Sequence, residues 1–236
     1  MGMLGLLAEA VDLVLPRTCP GCDAGVPWCA ACAATLTVPL RRVRLGEEAL
    51  DALAGLPAPP VRALARYAGP VRAAVIAGKE RDRRDLPPLL GAAMGEALVT
   101  LLRVDPPPGP LVLVPAPSRR AAARRRGGDP VAAMARSAAR VVAAHGRPVT
   151  VSRCLWTSAR ALDSVGLRPR ERITNLRGRV RLSVAALPPS GATVVVLDDV
   201  VTSGATTVCV VEALAAVGIG VHGVVAMASA MPWSSV

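Results

Sequence analysis

Aromatic side chains are scarce in this chain of 236 residues, which contains no Phe, one Tyr and three Trp. Proteins that bind single-stranded nucleic acid usually combine basic groups with stacking aromatics, so this scarcity weakens a nucleic-acid interpretation of the net charge of +11. The arginines suit equally well an enzyme that handles a small polyanion. With 52% hydrophobic residues, the chain can fold around a core built almost entirely from aliphatic side chains.

The sequence also shows neither the pattern of a secretion signal nor that of a membrane span. The apolar run of residues 1–15 lacks a cationic leader, carries Glu9 and Asp12, and is too short to cross a bilayer, so we expect a short amphipathic helix there. Charged residues interrupt the apolar C-terminal third at intervals that suit buried strands and a helix. We therefore expect a cytoplasmic protein without a membrane span.

Cysteines fall into two groups. Four of the six form two C-x-x-C pairs close together in the sequence, and Pro20-Gly21 supplies a tight turn within the first pair. Four thiolates at this spacing can converge on one tetrahedral ion, so the pattern predicts a structural zinc site, with two disulfides or unrelated thiols as the alternative. Cys154 and Cys209 stand alone in apolar surroundings and are expected in the core. The predicted metal ligands are Cys19, Cys22, Cys29 and Cys32.

The composition divides the chain into a small N-terminal module and one larger domain. We expect residues 1–40 to form a helix and zinc-knuckle module, and residues 61–236 to form the main domain, with a connecting segment between them. Apolar residues from 61 to 102 recur at helical intervals, and the helix predicted at 89–102 should pack on a sheet.

Beyond a proline-rich loop at 105–110, short apolar runs alternate with helical stretches. This alternation predicts an α/β fold with a mostly parallel sheet flanked by helices. Residues 158–179 are rich in arginine without clean periodicity and are predicted to form a long, mobile excursion. The predicted strands are 111–114, 149–151, 180–184, 193–197 and 222–226, and the predicted helices are 130–144 and 208–217.

The most specific pattern in the sequence lies at residues 194–206. A hydrophobic strand ends in Asp198 and Asp199 and leads into a hydroxyl-rich turn, centred on Gly204, that opens a helix. Amides and hydroxyls of such a turn can surround a phosphate at the helix N-terminus, while acids at the carboxyl end of a strand can accept hydrogen bonds from vicinal ribose hydroxyls. An ordinary N-capped helix would explain the hydroxyls but not two acids at the end of a buried strand.

Residues 194–206 resemble the binding motif for phosphoribosyl pyrophosphate (PRPP) of type I phosphoribosyltransferases. The resemblance implies that fold for the main domain, and it implies that Asp198 and Asp199 are the catalytic residues that contact the ribose, with Mg²⁺ as a second cofactor beside zinc. It also implies a phosphate-binding set of Val201, Thr202, Ser203, Gly204, Ala205 and Thr206.

The paired cysteines ahead of this domain, together with similar stretches at 67–72, 112–120 and 166–178, resemble the ComF-like family. That family is associated with competence and DNA uptake, so the resemblance implies a DNA-uptake machinery partner. Two places depart from its usual pattern near the expected ligand cleft, namely Gly127-Gly128-Asp129 and Ser164-Val165. These departures concern recognition of the acceptor and catalysis itself.

An enzyme of this kind would transfer the ribosyl 5-phosphate group from PRPP to a nucleophile through an oxocarbenium-like state, which requires charge stabilisation more than a strong base. Mg²⁺ and arginines would neutralise the departing pyrophosphate. Arg170 and Arg172 lie on a segment that can close over the substrate. The residues expected to cradle pyrophosphate are Pro115, Ala116, Arg119, Arg120 and Arg168.

Two alternatives to an enzyme stay open at the level of sequence. The first is a non-catalytic factor that senses PRPP or a nucleotide through the same fold and acts through partners in DNA uptake or DNA handling. The second is direct binding of single-stranded DNA through the zinc knuckle and the basic run at 119–126, which predicts a steep salt dependence of affinity.

Overall fold

The computed structural model describes residues 17–36, 39–118, 128–158 and 168–234. The strands in these ranges are β1 (Arg41–Arg42), β2 (Val61–Arg66), β3 (Leu111–Pro115), β4 (Val149–Val151), β5 (Leu155–Thr157), β6 (Val180–Leu182), β7 (Thr193–Val201) and β8 (Val221–Ser229). The helices are α1 (Ala30–Ala33), α2 (Glu47–Ala52), α3 (Gly69–Glu80), α4 (Leu86–Val104), α5 (Pro130–Ala144), α6 (Pro169–Leu176) and α7 (Ala205–Ala215), with a 3₁₀ turn at Val184–Ala186.

A six-stranded sheet in the order β1-β2-β8-β7-β3-β4 forms the centre of the described structure. Its neighbours pair in parallel, except for β1, which pairs antiparallel with β2. Strand β7 lies between β3 and β8, and Val194, Val195, Val196 and Leu197 are all buried. A parallel sheet covered by helices buries both faces of its strands, which explains these continuous apolar runs. The predicted α/β fold class is confirmed.

Helix α4 is long and apolar enough to cross a membrane, the only one to pass that test in the ranges described, yet it is a core helix here. Half of its apolar window is buried, and Met94 and Leu98 are wholly inaccessible to solvent. Gly91 and Gly95 let α5 approach closely, because a Cβ at either position would collide with the backbone of α5. Helix α4 also contacts β8, so the predicted packing of this helix on the sheet is observed.

The prediction of helical structure throughout residues 61–102 was wrong for its first part. Residues Val61–Arg66 form β2, which pairs in parallel with β8, and helix α3 begins only at Gly69 with Pro70 in its first turn. Over six residues the apolar pattern fits a helix or a strand, and hydrogen bonding to a distant strand decided the outcome.

The Arg-rich excursion and the strand predicted at 180–184 also differ from the structure. Residues Pro169–Leu176 form helix α6, which buries Ile173 and packs on α7 and α2. Strand β6 is shorter than predicted and lies outside the main sheet, since it pairs antiparallel with β5. Residues 159–167 of the predicted excursion lie outside the described residues.

The segment expected to connect the two predicted domains contributes to the core. It contains β1 and α2, and Val43, Leu45, Ala49 and Leu53 belong to the buried hydrophobic cluster of the sheet domain. The N-terminal helix predicted at 1–15 lies outside the described residues. The division into residues 1–40 and 61–236 stays a prediction.

Candidate functional site

Two adjacent acids occupy the carboxyl-terminal part of the central strand. Strand β7 continues through Asp198 and Asp199 as far as Val201, beyond the predicted end at residue 197, and both acids are buried, with 7% and 6% exposure. The amide of Asp199 donates to Asp198 Oδ1 at 2.8 Å, and the amide of Val200 donates to Asp199 Oδ1 at 2.8 Å. These backbone contacts hold both carboxyl groups in defined positions at the sheet edge.

Lys79 approaches this acidic pair from the last turn of α3. Its Nζ lies 2.6 Å from Asp199 Oδ2. Burial, followed by the neighbouring charge of Asp199, raises the pKa of Asp198 well above its usual range, and the ammonium of Lys79 opposes this shift only in part. Burial therefore favours the neutral form of Asp198, while Asp199 forms an ion pair with Lys79.

The turn after these acids is built around Gly204. This residue has φ of +77°, in the left-handed region. It occupies the N-cap position of α7, so no capping side chain covers the amides of the first turn. A Cβ at Gly204 would lie 2.9 Å from Leu45 Cδ2 and 3.2 Å from Ala49 Cβ. The left-handed backbone therefore favours glycine, and its lack of a Cβ lets the turn pack against Leu45 and Ala49. On the other side of the turn, the first amides of α7 face the end of a helix at which anions bind.

These groups open into one cleft of about 580 Å³. On its other wall, Ser118 Oγ donates to Asp129 Oδ2 at 2.5 Å, and Asp129 caps α5 by accepting from the amides of Val131 and Ala132. Arg172 Nη1, from α6, donates to Thr202 Oγ1 at 3.4 Å. The lining of the cleft therefore includes two cationic side chains, an acidic floor formed by Asp198 and Asp199, and a turn rich in hydroxyls and amides.

Most of the predicted site residues meet in this cleft. Asp198, Asp199 and residues 201–206 all line it, as does Ala116. Pro115 is buried in β3, opposite Leu197 of β7. Arg168 is not among the lining residues and instead occupies the N-cap of α6, while Arg119 and Arg120 lie outside the described residues.

Sequence reasoning assigned no role in this site to several residues that line it. Tyr67 and Lys79 come from the segment ahead of the proline-rich loop, and Ser118 precedes an interval outside the described residues. Asp129, from a stretch expected near the ligand cleft, and Arg172, from the segment expected to close over the substrate, also line the cleft. One signal was available, because Lys79 is the only lysine in a chain with 28 basic residues. Gly127, Ser164 and Val165, which depart from the family pattern, lie outside the described residues.

The four paired cysteines converge as predicted. Their Sγ atoms all lie within 4.8 Å of one another, and those of Cys22 and Cys29 are 3.5 Å apart. A tetrahedron with metal–sulfur bonds of about 2.3 Å has edges of roughly 3.8 Å, which is close to this spacing. The amide of Cys32 donates to Cys29 Sγ at 3.4 Å. These thiols can hold a metal ion.

The alternative of two disulfides is not what the structure contains. All six cysteines carry free thiols, and Cys154 and Cys209 are buried as predicted. Burial of the Cys209 thiol raises its pKa to about 12, which keeps it protonated and inert.

No protein-family model and no curated protein matches this sequence. Solved structures that match include a hypoxanthine-guanine phosphoribosyltransferase of L. donovani, which is 14% identical with a TM-score of 0.35 over 61% of this chain and 70% of that one. Two mutants of an HPRT, with alanine or glutamic acid at an invariant aspartic acid, are 11% and 12% identical with a TM-score of 0.35. Each of these matches covers 63% of this chain and 73% of the other.

Proposed function

We propose that this protein binds PRPP, or another ligand that carries a ribose 5-phosphate, in the cleft at the end of β7. The strongest support is that two buried acids lie just before the turn at Gly204 and an open helix N-terminus lies just after it. A phosphorylated pentose needs both features, an anion site at one end and acceptors for vicinal hydroxyls at the other.

The turn of residues 202–206 would hold the 5-phosphate through its amides and hydroxyls. A protonated Asp198 can both donate and accept, whereas the Asp199 carboxylate accepts only, so the pair suits two neighbouring hydroxyl groups of a ribose. Burial raises the pKa of Asp198, and this shift favours its protonated form. Val201 and Ala205 contribute to the same turn.

Mg²⁺ prefers oxygen ligands such as those of carboxyl groups, and Asp198 and Asp199 supply side chains of this type. Because Lys79 already pairs with Asp199, and burial favours a neutral Asp198, we propose that Asp198 and Asp199 contact the ion indirectly, while the ligand's own diphosphate supplies direct ligands. Mg²⁺ would there offset the charge of the departing pyrophosphate.

We further propose that the protein is a ComF-like phosphoribosyltransferase of the cytoplasm, which transfers the phosphoribosyl group to an acceptor. Ala116 lines the cleft and is a candidate for holding the leaving pyrophosphate, and we keep Pro115, Arg119, Arg120 and Arg168 as candidates for the same role. Arg172 also lines the cleft, where it contacts Thr202 of the proposed phosphate turn. The acidic floor and cationic wall provide the charge stabilisation that an oxocarbenium-like state requires. A partner in DNA uptake belongs to this proposal.

We propose Zn²⁺ as the ion of the four-cysteine site. Four thiolates in a closed tetrahedral set are the usual structural zinc site, and no ligand position is left for catalysis. Metal analysis of protein purified without added metal should give one zinc per chain, and less than half an equivalent would contradict the assignment.

Calorimetric titration of PRPP with Mg²⁺ tests the proposed ligand. The variant Asp198→Asn/Asp199→Asn should bind at least about 100-fold more weakly, because two acceptors for ribose hydroxyls are altered at once. Asp105→Asn, at an exposed position remote from the cleft lining, is the matched control and should bind as the wild type does. Equal affinity in the double variant and the control would refute the site.

Pyrophosphate release from PRPP, screened across purine, pyrimidine and amine acceptors, tests the transfer step. An acceptor-dependent release that disappears in the double variant supports the enzyme. Tight PRPP binding without release for any acceptor would favour the non-catalytic sensor.

A further inference from the structure

The four-cysteine module, residues 17–36, lies directly against the start of helix α3. A Cβ added to Gly21 would lie 2.7 Å from the Cβ of Pro70, in the first turn of α3, and 2.8 Å from Cys32 Sγ. Such distances are too short for any side chain, so the backbone of the first knuckle is in close contact with the helix. The four-cysteine site therefore contacts α3 directly.

The module also holds the chain just beyond the other end of α3. Arg83 Nη1 donates to the carbonyl of Thr18 at 2.7 Å, and its Nη2 donates to the carbonyl of Pro27 at 3.0 Å. Asp85 accepts from the same guanidinium at 2.9 and 2.8 Å, which orients it. Thr18 precedes the first cysteine pair and Pro27 precedes the second, so one arginine contacts both knuckles.

Lys79 lies between these two contacts, in the last turn of α3, with its ammonium 2.6 Å from Asp199. A helix moves as a unit, and the energy of an ion pair depends on the distance between its charges. A shift of α3 at either end would therefore move Lys79 relative to the acidic floor of the cleft.

The module itself has little to hold its shape apart from the thiols. Within residues 17–36, only Cys19 and Cys32 are buried, so the segment lacks an apolar core of its own. Small segments of this kind depend on a bound metal for their conformation.

We infer that the metal-loaded four-cysteine module is a positioning device for the cleft: it clamps α3 through Gly21 and Arg83 and thereby holds Lys79 against Asp199. Gly21 and Arg83 are positioning residues that act through Lys79. The expected consequence for PRPP affinity rests on the proposed function, whereas the effect on Lys79 itself does not.

Because Lys79 is the only lysine of the chain, its acetylation can be followed by peptide mass spectrometry. An amine must lose its proton before it is acylated, and a neighbouring carboxylate favours the protonated form. Acetylation by a water-soluble acetyl ester should therefore be several-fold faster in Gly21→Ala and in Arg83→Met than in the wild type. The zinc content of each protein is measured in parallel.

Each variant has a matched control. A Cβ at Gly25, in the same module, meets no atom within 4 Å, so Gly25→Ala should leave the acetylation rate unchanged. Arg84 pairs with exposed Asp82 at the surface, so Arg84→Met should do the same. If a variant does not fold, removal of zinc from the wild-type protein by a chelator gives the same measurement, and acetylation should again accelerate.

An unchanged acetylation rate of Lys79 in Arg83→Met and in the zinc-depleted wild type would overturn the inference, whether or not the protein binds PRPP. With PRPP and Mg²⁺, the two test variants should bind about tenfold more weakly, the loss expected from one misplaced charged contact. Faster acetylation in a protein whose wild type binds no PRPP would uphold the positioning role and refute the proposed ligand.

Discussion

The cysteine module and the strand-end turn both place polar groups around a sharp bend that only glycine allows, but they are supported differently. Gly21 and Gly204 each occupy a place where a Cβ would collide with a neighbour. The turn at Gly204 continues a buried central strand and rests on Leu45 and Ala49, whereas the module has only two buried residues, both cysteines. The sheet therefore preorganises one site, whereas the other would be organised by the metal ion proposed for its four thiols.

Removal of the metal should produce the largest difference between the two regions. Structural zinc contributes about 10 kcal/mol or more to the folding of small zinc modules, so a chelator should abolish amide protection in residues 17–36. Protection in β7 and β8 should persist, because their core does not include the thiols. Hydrogen exchange with mass spectrometry measures both regions in one sample, and added zinc should restore the first. Unchanged protection in the module would show that its conformation does not depend on a bound metal.

Substitution of Gly204 should have the next largest effect. Gly204→Ala places a Cβ 2.9 Å from Leu45 in a left-handed residue, and we expect a loss of about 2–4 kcal/mol in the free energy of unfolding. Gly218 has a similar φ of +75° but open space around it, so Gly218→Ala should lose only about 1 kcal/mol.

Urea unfolding of the two glycine variants isolates the packing contribution of the turn, since backbone strain is common to both. Equal losses would mean that Leu45 and Ala49 shift to accommodate the added methyl group, and that they do not support the turn rigidly.

The smallest expected effect is a gain in stability. Burial and the Asp199 charge raise the pKa of Asp198, so its ionisation disfavours the folded state. Below the unfolded-state pKa of about 3.9, Asp198 is protonated in both the folded and the unfolded state, so it does not destabilise the fold. Above that pH, the unfolded state releases the proton more readily than the folded state, and the folded state becomes less stable. Asp198→Asn should therefore raise Tm by about 2–4 °C at pH 7, the shift typical of 1 kcal/mol, with the gain shrinking toward pH 4.

Thermal unfolding of wild type and Asp198→Asn at pH 4 and pH 7 measures this effect. A gain of equal size at both pH values would contradict a raised pKa, because a change in packing alone does not depend on the protonation of residue 198.

Local patterns in the sequence predicted much of this structure. The continuous apolar run before Asp198, the helix from Pro130 and the four clustered cysteines all correspond to observed features. Each pattern lies within a short stretch of chain, where periodicity, spacing and residue type are sufficient. The strand β2 and helix α6 were missed because their conformations depend on β8 and on α2 and α7, which are remote in sequence.

The sequence by itself determined the strand-end turn with its two acids and the spacing of the four clustered cysteines, because in both places the polar groups are neighbours along the chain. Only the tertiary structure decided that Lys79 faces Asp199, that Asp129 and Arg172 share their cleft, and that the cysteine module rests on α3. Those meetings join segments far apart in the chain, and they follow from the packing of helices on a parallel sheet rather than from any local pattern.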